Sequence, residues 1–431
     1  MLDEAALTHI IEMLESGETE HALAHIEELE KDGSDDDRLA IADLYLELGL
    51  ADRATEVLSK LYVDYEGDPN VALSLAEAYL DSDREEEAIA VLEKVKSDDA
   101  ETQVRSLVLL ADLYQSQGLD EVAVKKLMEA LEKNPDEPLL IYGLAELYAS
   151  TGSFEQAIPL YARLPKMNLP SEIDYQADYA EALTMVGSFE EALDEYEKAT
   201  HRNLNTVFGH AMTAHRIGRE EVAIKQFKEL QAMDPDFTSL YLPYTEALDA
   251  NGQTEEALEI VDQGITRDDY NDELRHVKAK LLLKLGNRDG AVKELREALV
   301  LNPESLQATE LILSILFEAG EIDDVLETID DVLETIDALE DHTTSPLMTW
   351  YKAKAKYELE EYDEAVSLYA SIEPMMKEDV SFVTEWATLL IEEGRRQDAR
   401  RVVEQSLALV VDLEDRQVLE DQLEQLSDDV E

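Results

Sequence analysis

Apolar positions along this chain recur with the 3.6-residue spacing of a helix, and the helical segments themselves recur. The string GSFEQA at 152–157 returns as GSFEEA at 187–192, with related strings GREEVA at 218–223, GQTEEA at 252–257 and GNRDGA at 286–291. Each reads as the end of one helix and the start of the next. Glycine permits the left-handed residue that closes a helix, and acidic residues favour the N-terminus that follows. The turn position falls at 17, 49, 83, 118, 152, 187, 218, 252, 286, 320, 360 and 394, most steps being 34 or 35 residues. Five residues later stand Ala22, Ala54, Ala88, Ala123, Ala157, Ala192, Ala223, Ala257, Ala291, Val325, Ala365 and Ala399. Eleven of the twelve are alanine, which predicts a close approach of this second helix to its neighbour. One helical turn further on, every residue is apolar: Ile26, Leu58, Leu92, Leu127, Tyr161, Tyr196, Phe227, Val261, Leu295, Ile329, Tyr369 and Val403. The two sets share one buried face. The first helices show a matching set seven residues before the turn, in Ala42, Ala76, Ala111, Ala145, Ala180, Ala211, Ala279, Ala353 and Ala387. Prolines in NPD at 134–136, DPD at 234–236 and NPE at 302–304 close some second helices.

A 34-residue helix–turn–helix period with these alanines and aromatics resembles the tetratricopeptide repeat. The resemblance covers twelve repeats over residues 3–413. The chain is also similar to the stand-alone YpiA-like repeat proteins of Gram-positive bacteria. The resemblance implies an all-α fold: a right-handed superhelical solenoid of about twelve antiparallel helix–turn–helix repeats, with the first helices lining a concave groove. The expected division is repeats one to ten over 3–340, repeats eleven and twelve over 346–413, and a capping helix with an acidic tail over 414–431. In the cap, Leu419, Leu423 and Leu426 are expected to face inward.

One step breaks the period. The heptad DVLETID occurs twice in a row, at 324–330 and 331–337, inside a step of 40 residues from turn 320 to turn 360. Removing one copy restores 33 residues, so the second helix of repeat ten reads as lengthened by a duplication of two turns. A heptad nearly preserves a helix face. The lengthened helix is expected to project past its neighbours, with EDHTTSPL at 340–347 as the returning loop. A coiled coil would need more than two heptads in succession. LPKMNLPSEID at 164–174 and HRNLN at 201–205 read as irregular connections.

Charge narrows the partners. There are 101 acidic and 36 basic residues, a formal net charge of −65. Phosphate backbones and anionic membrane surfaces repel such a chain, so neither nucleic acid nor membrane is expected as a partner. The acidity also suits a solvated surface in a salty or alkaline cell interior. With no cysteine, disulfides, thiol catalysis and thiolate metal sites are excluded. The N-terminal stretch lacks the basic region and apolar core of a signal peptide, and no apolar run reaches the ~18 residues of a membrane span. A soluble, cytoplasmic protein is expected.

Chemistry is sparse. No phosphate-binding glycine loop is present. His21 and His25 stand four residues apart on one helix without a third ligand, and His210, beside His201 and His215, takes a core-facing position. No metal, cofactor or catalytic residue is expected, and the chain reads as not an enzyme. Repeat proteins that act as phosphatases or peptide-gated regulators carry an N-terminal helical bundle; here the repeats start at about residue 3.

By the resemblance, the ninth position of each repeat faces the groove. Repeats two to six place Asp43, Glu77, Asp112, Glu146 and Glu181 there, an acidic ladder; later repeats place Met212, Glu246, Lys280, Ser314, Lys354 and Thr388, with Lys284 near. The carboxylate clamp of chaperone-binding relatives needs lysine and asparagine early in the groove, where Asp43 and Glu77 stand instead. Towards the C-terminus, Trp350 takes a fifth position and Phe317 and Tyr357 twelfth positions. These aromatics suit either an anchor for a partner or packing at the irregular junction. The expectation is a non-catalytic scaffold or adaptor that binds a peptide segment or protein edge, a basic one at the ladder. Its partner-binding residues are Asp43, Glu77, Asp112, Glu146 and Glu181 in one stretch, and Lys280, Lys284, Phe317, Trp350, Lys354 and Tyr357 in the other. The alternative is a chaperone-like holder of client proteins.

Overall fold

The computed structural model describes residues 9–428 apart from 11, 14–15, 17, 66–67, 96, 98, 168, 171–172 and 339–344. Among the described residues there are 24 α-helices, two short 3-10 segments and no strand. The fold is an all-α solenoid of helix pairs. The chain falls into two compact blocks, residues 1–209 and 210–431.

In the N-terminal block the first helices Asp35–Glu47, Pro69–Leu80, Ala100–Ser116, Pro138–Ser150 and Tyr175–Met185 are followed by the second helices Ala51–Asp64, Glu85–Leu92, Asp120–Lys133, Phe154–Tyr161 and Phe189–Tyr196. The C-terminal block holds the pairs Tyr241–Ala250 and Thr254–Arg267, Asp272–Lys284 and Arg288–Leu301, Leu306–Glu318 and Ile322–Ala338, Pro346–Glu358 and Tyr362–Ile372, and Val380–Glu392 and Arg396–Leu407. Helix Leu413–Asp428 closes it, with Leu419 and Leu426 buried and Leu423 packed on the same core.

Each pair is folded back on itself by the same device. The turn residue lies in the left-handed region at every described turn position, with φ between 69° at Gly49 and 84° at Gly187 for the glycines. Asp83 (φ 56°) and Glu360 (φ 62°) hold that conformation without being glycine. The next residue then donates its N–H back to a carbonyl five residues earlier, as in Leu50 to Tyr45 (2.8 Å), Arg84 to Tyr79 (2.8 Å), Gln253 to Leu248 (2.9 Å) and Arg395 to Leu390 (2.7 Å). This bond satisfies a carbonyl that the helix end would otherwise leave open.

The alanine register is the core. All twelve residues five positions after a turn have 0 % exposure, from Ala22 to Ala399. The apolar residue one turn further is buried in every case, Leu127 being the most exposed at 7 %. The first-helix alanines seven positions before the turn are buried as well; where the register carries Thr245 or Leu313 instead, that residue has 0 % exposure too.

The lengthened helix departs from expectation. Helix Ile322–Ala338 spans 17 residues, against 14 for Thr254–Arg267 and Arg288–Leu301. Its added turns do not simply project. Val332, in the second heptad copy, is 5 % exposed, Leu333 packs against the same cluster, and Asp330 pairs with Lys352 at 3.2 Å. The heptad returned the duplicated valine to the buried face, so the copy is absorbed by the core as far as Leu333. The returning loop lies outside the described residues over 339–344.

Two substitutions test this architecture. Ala157→Leu overpacks the contact and lowers stability by about 1–3 kcal/mol, read as a lower melting temperature. Glu360→Gly removes the steric cost of a left-handed residue bearing a Cβ and raises stability by about 1 kcal/mol. An unchanged melt in either variant contradicts the corresponding contact or turn geometry.

Candidate functional site

Residues at the exposed faces of the first helices reach from one repeat to the next. In the N-terminal block, Ser74 donates to Asp43 Oδ1 at 3.1 Å, Arg105 pairs with Glu77, and Tyr142 donates to Asp178 Oδ2 at 3.1 Å. Asp43 and Glu77 are thereby each tied to the first helix of the following repeat. Asp43, Asp112, Glu146 and Glu181 are exposed and Glu77 is half-buried.

Three carboxyls of the ladder are partly stripped of solvent. Asp112, Glu146 and Glu181 have no cation or hydrogen-bond partner among the described residues. The carboxyl of Asp112 is pushed above the usual range by the surrounding protein, which strips part of its solvent. The same loss of solvent raises Asp43 and Glu146, with Glu77 adding repulsion at Asp43 and Asp178 at Glu146. Asp178 is itself raised, chiefly by loss of solvent, against the lowering effect of the Tyr142 hydrogen bond. Elsewhere in the block some carboxylates are matched, such as Glu56 with Lys60 at 2.9 Å and Glu87 with Arg84 at 2.9 Å, both held below the usual range by those cations.

In the C-terminal block the first helices converge on one carboxylate. Glu385 accepts from Trp350 Nε1 at 2.9 Å, Lys354 Nζ at 3.2 Å and the Tyr369 hydroxyl at 3.3 Å. Lys354 Nζ also lies 4.8 Å from the Phe317 ring centre and 5.2 Å from those of Trp350 and Tyr351, a cation held over three aromatic faces. Tyr357 donates to Glu392 at 2.5 Å, and this bond pushes its phenol up to about 12. A pocket of about 320 Å³ opens here, lined by Phe317, Lys354, Tyr357, Tyr369, Glu385 and Leu389 among others. Trp350 stands behind the pocket, edge-on to Phe382 at 5.8 Å.

The structure therefore groups Phe317, Trp350, Lys354 and Tyr357. Lys280 and Lys284 lie on a different helix, Asp272–Lys284, where Lys284 pairs with Asp249 and Lys280 lines a separate pocket with His276. Lys354 and Lys284 are both matched by carboxylates, so the later first-helix face is less basic than a count of its lysines implies. Three contributors were missed from sequence: Ser74, Asp178 and Glu385. Each stands nine residues before a turn, at 83, 187 and 394, and each meets a groove residue of the preceding repeat. A polar residue one helical turn before the ninth position was the available signal.

The histidines separate. His210 is 3 % exposed, His21 pairs with Glu18 at 3.5 Å, and His25 stands edge-on to His9 at 5.9 Å. Among the described residues no group of three His, Asp or Glu side chains could hold a metal ion. His215 bridges two repeats, with Nδ1 2.7 Å from Glu220 and Nε2 3.8 Å from Glu246.

Residues 115–169 match a family described as YpiA-like, tetratricopeptide repeats, and residues 346–411 match its C-terminal tetratricopeptide repeats. Residues 39–101 and 276–338 match a general tetratricopeptide-repeat family. Over 402 residues the chain is 34 % identical to the TPR repeat-containing protein YpiA of Bacillus subtilis (strain 168), covering 93 % of each. The chain belongs to the YpiA-like tetratricopeptide-repeat family. Among solved structures it is similar to YrrB, a TPR protein with an unusual peptide-binding site, at 16 % identity and a TM-score of 0.39, over 42 % of this chain and 95 % of that one. It is also similar to a chain of the APC/C hetero-tetramer Cut9-Hcn1, at 15 % identity and a TM-score of 0.35, over 99 % of this chain and 96 % of that one. As a member of the YpiA-like family the chain is a repeat scaffold for protein–protein interaction. No helix among the described residues is long and apolar enough to cross a membrane.

The His215 bridge makes a prediction. Hydrogen bonding to Glu246, then to Glu220, raises the imidazole above its ordinary value of 6.5. Its stabilisation is complete below that value and is lost as pH rises through the raised one. His215→Gln should therefore lower the melting temperature near pH 6 and have little effect near about pH 9. A pH-independent difference contradicts the bridge.

Proposed function

We propose that this protein is a non-catalytic adaptor that holds a basic segment of a partner protein along the first-helix face of its N-terminal block. The observation that carries the reading is a run of carboxylates at the same first-helix position in three consecutive repeats, Asp112, Glu146 and Glu181, with no cation beside them among the described residues. Lysine or arginine side chains of a partner offset the loss of solvent that chiefly raises Asp43 and Glu146, and the repulsion that adds to it. Like charges spaced along one wall also accelerate encounter with a cationic partner and fix its register. In the C-terminal block, the pocket beside Phe317, Lys354 and Tyr357 has room for an apolar or aromatic side chain, the kind of anchor that concentrates binding energy. Trp350 supports that pocket from behind through Glu385.

The test is affinity capture from the native cell's lysate at about physiological salt, where exposed charges act over roughly 8 Å. Wild type is compared with a variant carrying Asp43→Asn, Glu77→Gln, Asp112→Asn, Glu146→Gln and Glu181→Gln. A control removes the same charge from the second helices at the exposed residues Glu56, Glu86, Glu129, Glu155 and Glu191. One dominant basic partner, kept by the control and lost by the ladder variant, is the expected result. Retention by the ladder variant, or equal loss in both, overturns the reading. A broad set of clients indifferent to the ladder establishes a chaperone-like holder instead.

A further inference from the structure

Asp174 stands immediately before helix Tyr175–Met185, where an aspartate ordinarily caps the helix. Its side chain does something else. Oδ2 turns to the far end of the repeat, accepting from the Thr200 N–H at 2.6 Å, the Thr200 hydroxyl at 3.1 Å and the His201 N–H. Oδ1 is left buried without a hydrogen-bond partner, in a side chain only 4 % exposed. A bare buried carboxylate oxygen is unfavourable and calls for a donor.

Asp174 lines a pocket of about 520 Å³ in the N-terminal block. Asp178 and Glu181, one and two turns along the same helix, line it too, and the facing wall carries Tyr196, Asn205 and Phe208. Three carboxylates share the pocket and no lysine or arginine lines it. Tyr196 keeps the wall in place by lying against Gly209, where an added Cβ would meet its hydroxyl oxygen at 2.5 Å.

The chemistry selects the occupant. A metal ion is disfavoured, since no group of three ligating side chains among the described residues is spaced to hold one. An ammonium is a compact point charge, whereas a guanidinium presents five donors in a plane and stacks on aromatic faces. Acceptors spread over three carboxylates beside the Phe208 ring match the second. We infer that this pocket anchors an arginine side chain of the partner segment, at the end of the ladder marked by Glu181. The inference rests on the adaptor reading and adds to it a residue type and a place.

The test uses the full chain labelled with 3-fluorotyrosine, the Tyr196 resonance being assigned by its loss in Tyr196→Phe. The probe is Nα-acetyl-arginine methylamide, and the comparison is its citrulline counterpart, equal in shape but uncharged. The expected result is a saturable shift with the arginine probe alone, weakened at least about tenfold in the Asp178→Asn, Glu181→Gln double variant through loss of charge-assisted hydrogen bonds. Asparagine at 178 keeps an acceptor for Tyr142, and an unchanged melting curve establishes that the variant is folded. Equal response to both probes, an undiminished response in the variant, or no saturable response overturns the inference. The probe contains no peptide, so its failure beside an intact ladder capture removes the pocket and leaves the adaptor. Saturable arginine binding beside a failed capture does the reverse.

Discussion

Everything in this fold depends on how closely two helices approach at one small residue. The alanine five positions after each turn lets the second helix sit against its neighbour with no exposed surface left at the contact. The left-handed turn residue sets the pair at that distance, and the back-bond that follows it closes the first helix. Neither works alone. A larger residue at the contact would push the pair apart, and an extended turn would carry the second helix away from the first. Because the device is repeated, stability is a sum of local terms and nearest-neighbour contacts, and an irregularity such as the lengthened helix can be absorbed where it arises.

The same repetition lines up like charges. With a formal net charge of −65, the chain repels itself wherever carboxylates are not matched. Some carboxylates are matched, on first and second helices alike, as in Glu77 with Arg105 and Glu56 with Lys60. Three first helices in succession leave one carboxylate open at the same position of the repeat, in Asp112, Glu146 and Glu181. That face is less stable than it would be with lysines beside it, and a binding surface is where such a deficit is relieved by a partner.

The helix pairs were legible from sequence because each was written many times over: a single alanine means little, but eleven in register fix a face. The turns were legible for the same reason, including Asp83 and Glu360, whose place in the register revealed what their identity did not. Contacts between consecutive first helices were not legible. The bonds from Trp350 and Lys354 to Glu385 and from Tyr142 to Asp178 join residues about one repeat apart, and no pattern within one repeat points to them. For the same reason Lys284 and Lys354 read as free positive charge until Asp249 and Glu385 came into view beside them. The lengthened helix reads as projecting from its length alone, whereas Val332 of the second copy lies on the face that packs into the core.

The loss of solvent at the first-helix carboxyls can be read directly by following carboxyl carbon shifts in ¹³C-labelled protein through an acid titration, with resonances assigned from single amide variants. The account predicts that Asp43, Asp112, Glu146 and Asp178 titrate above the usual carboxylate range while Glu56 and Glu87 titrate below it. If all six titrated together, the first-helix carboxyls would bear no cost of lost solvent for a cationic partner to offset, and the adaptor reading would lose its support.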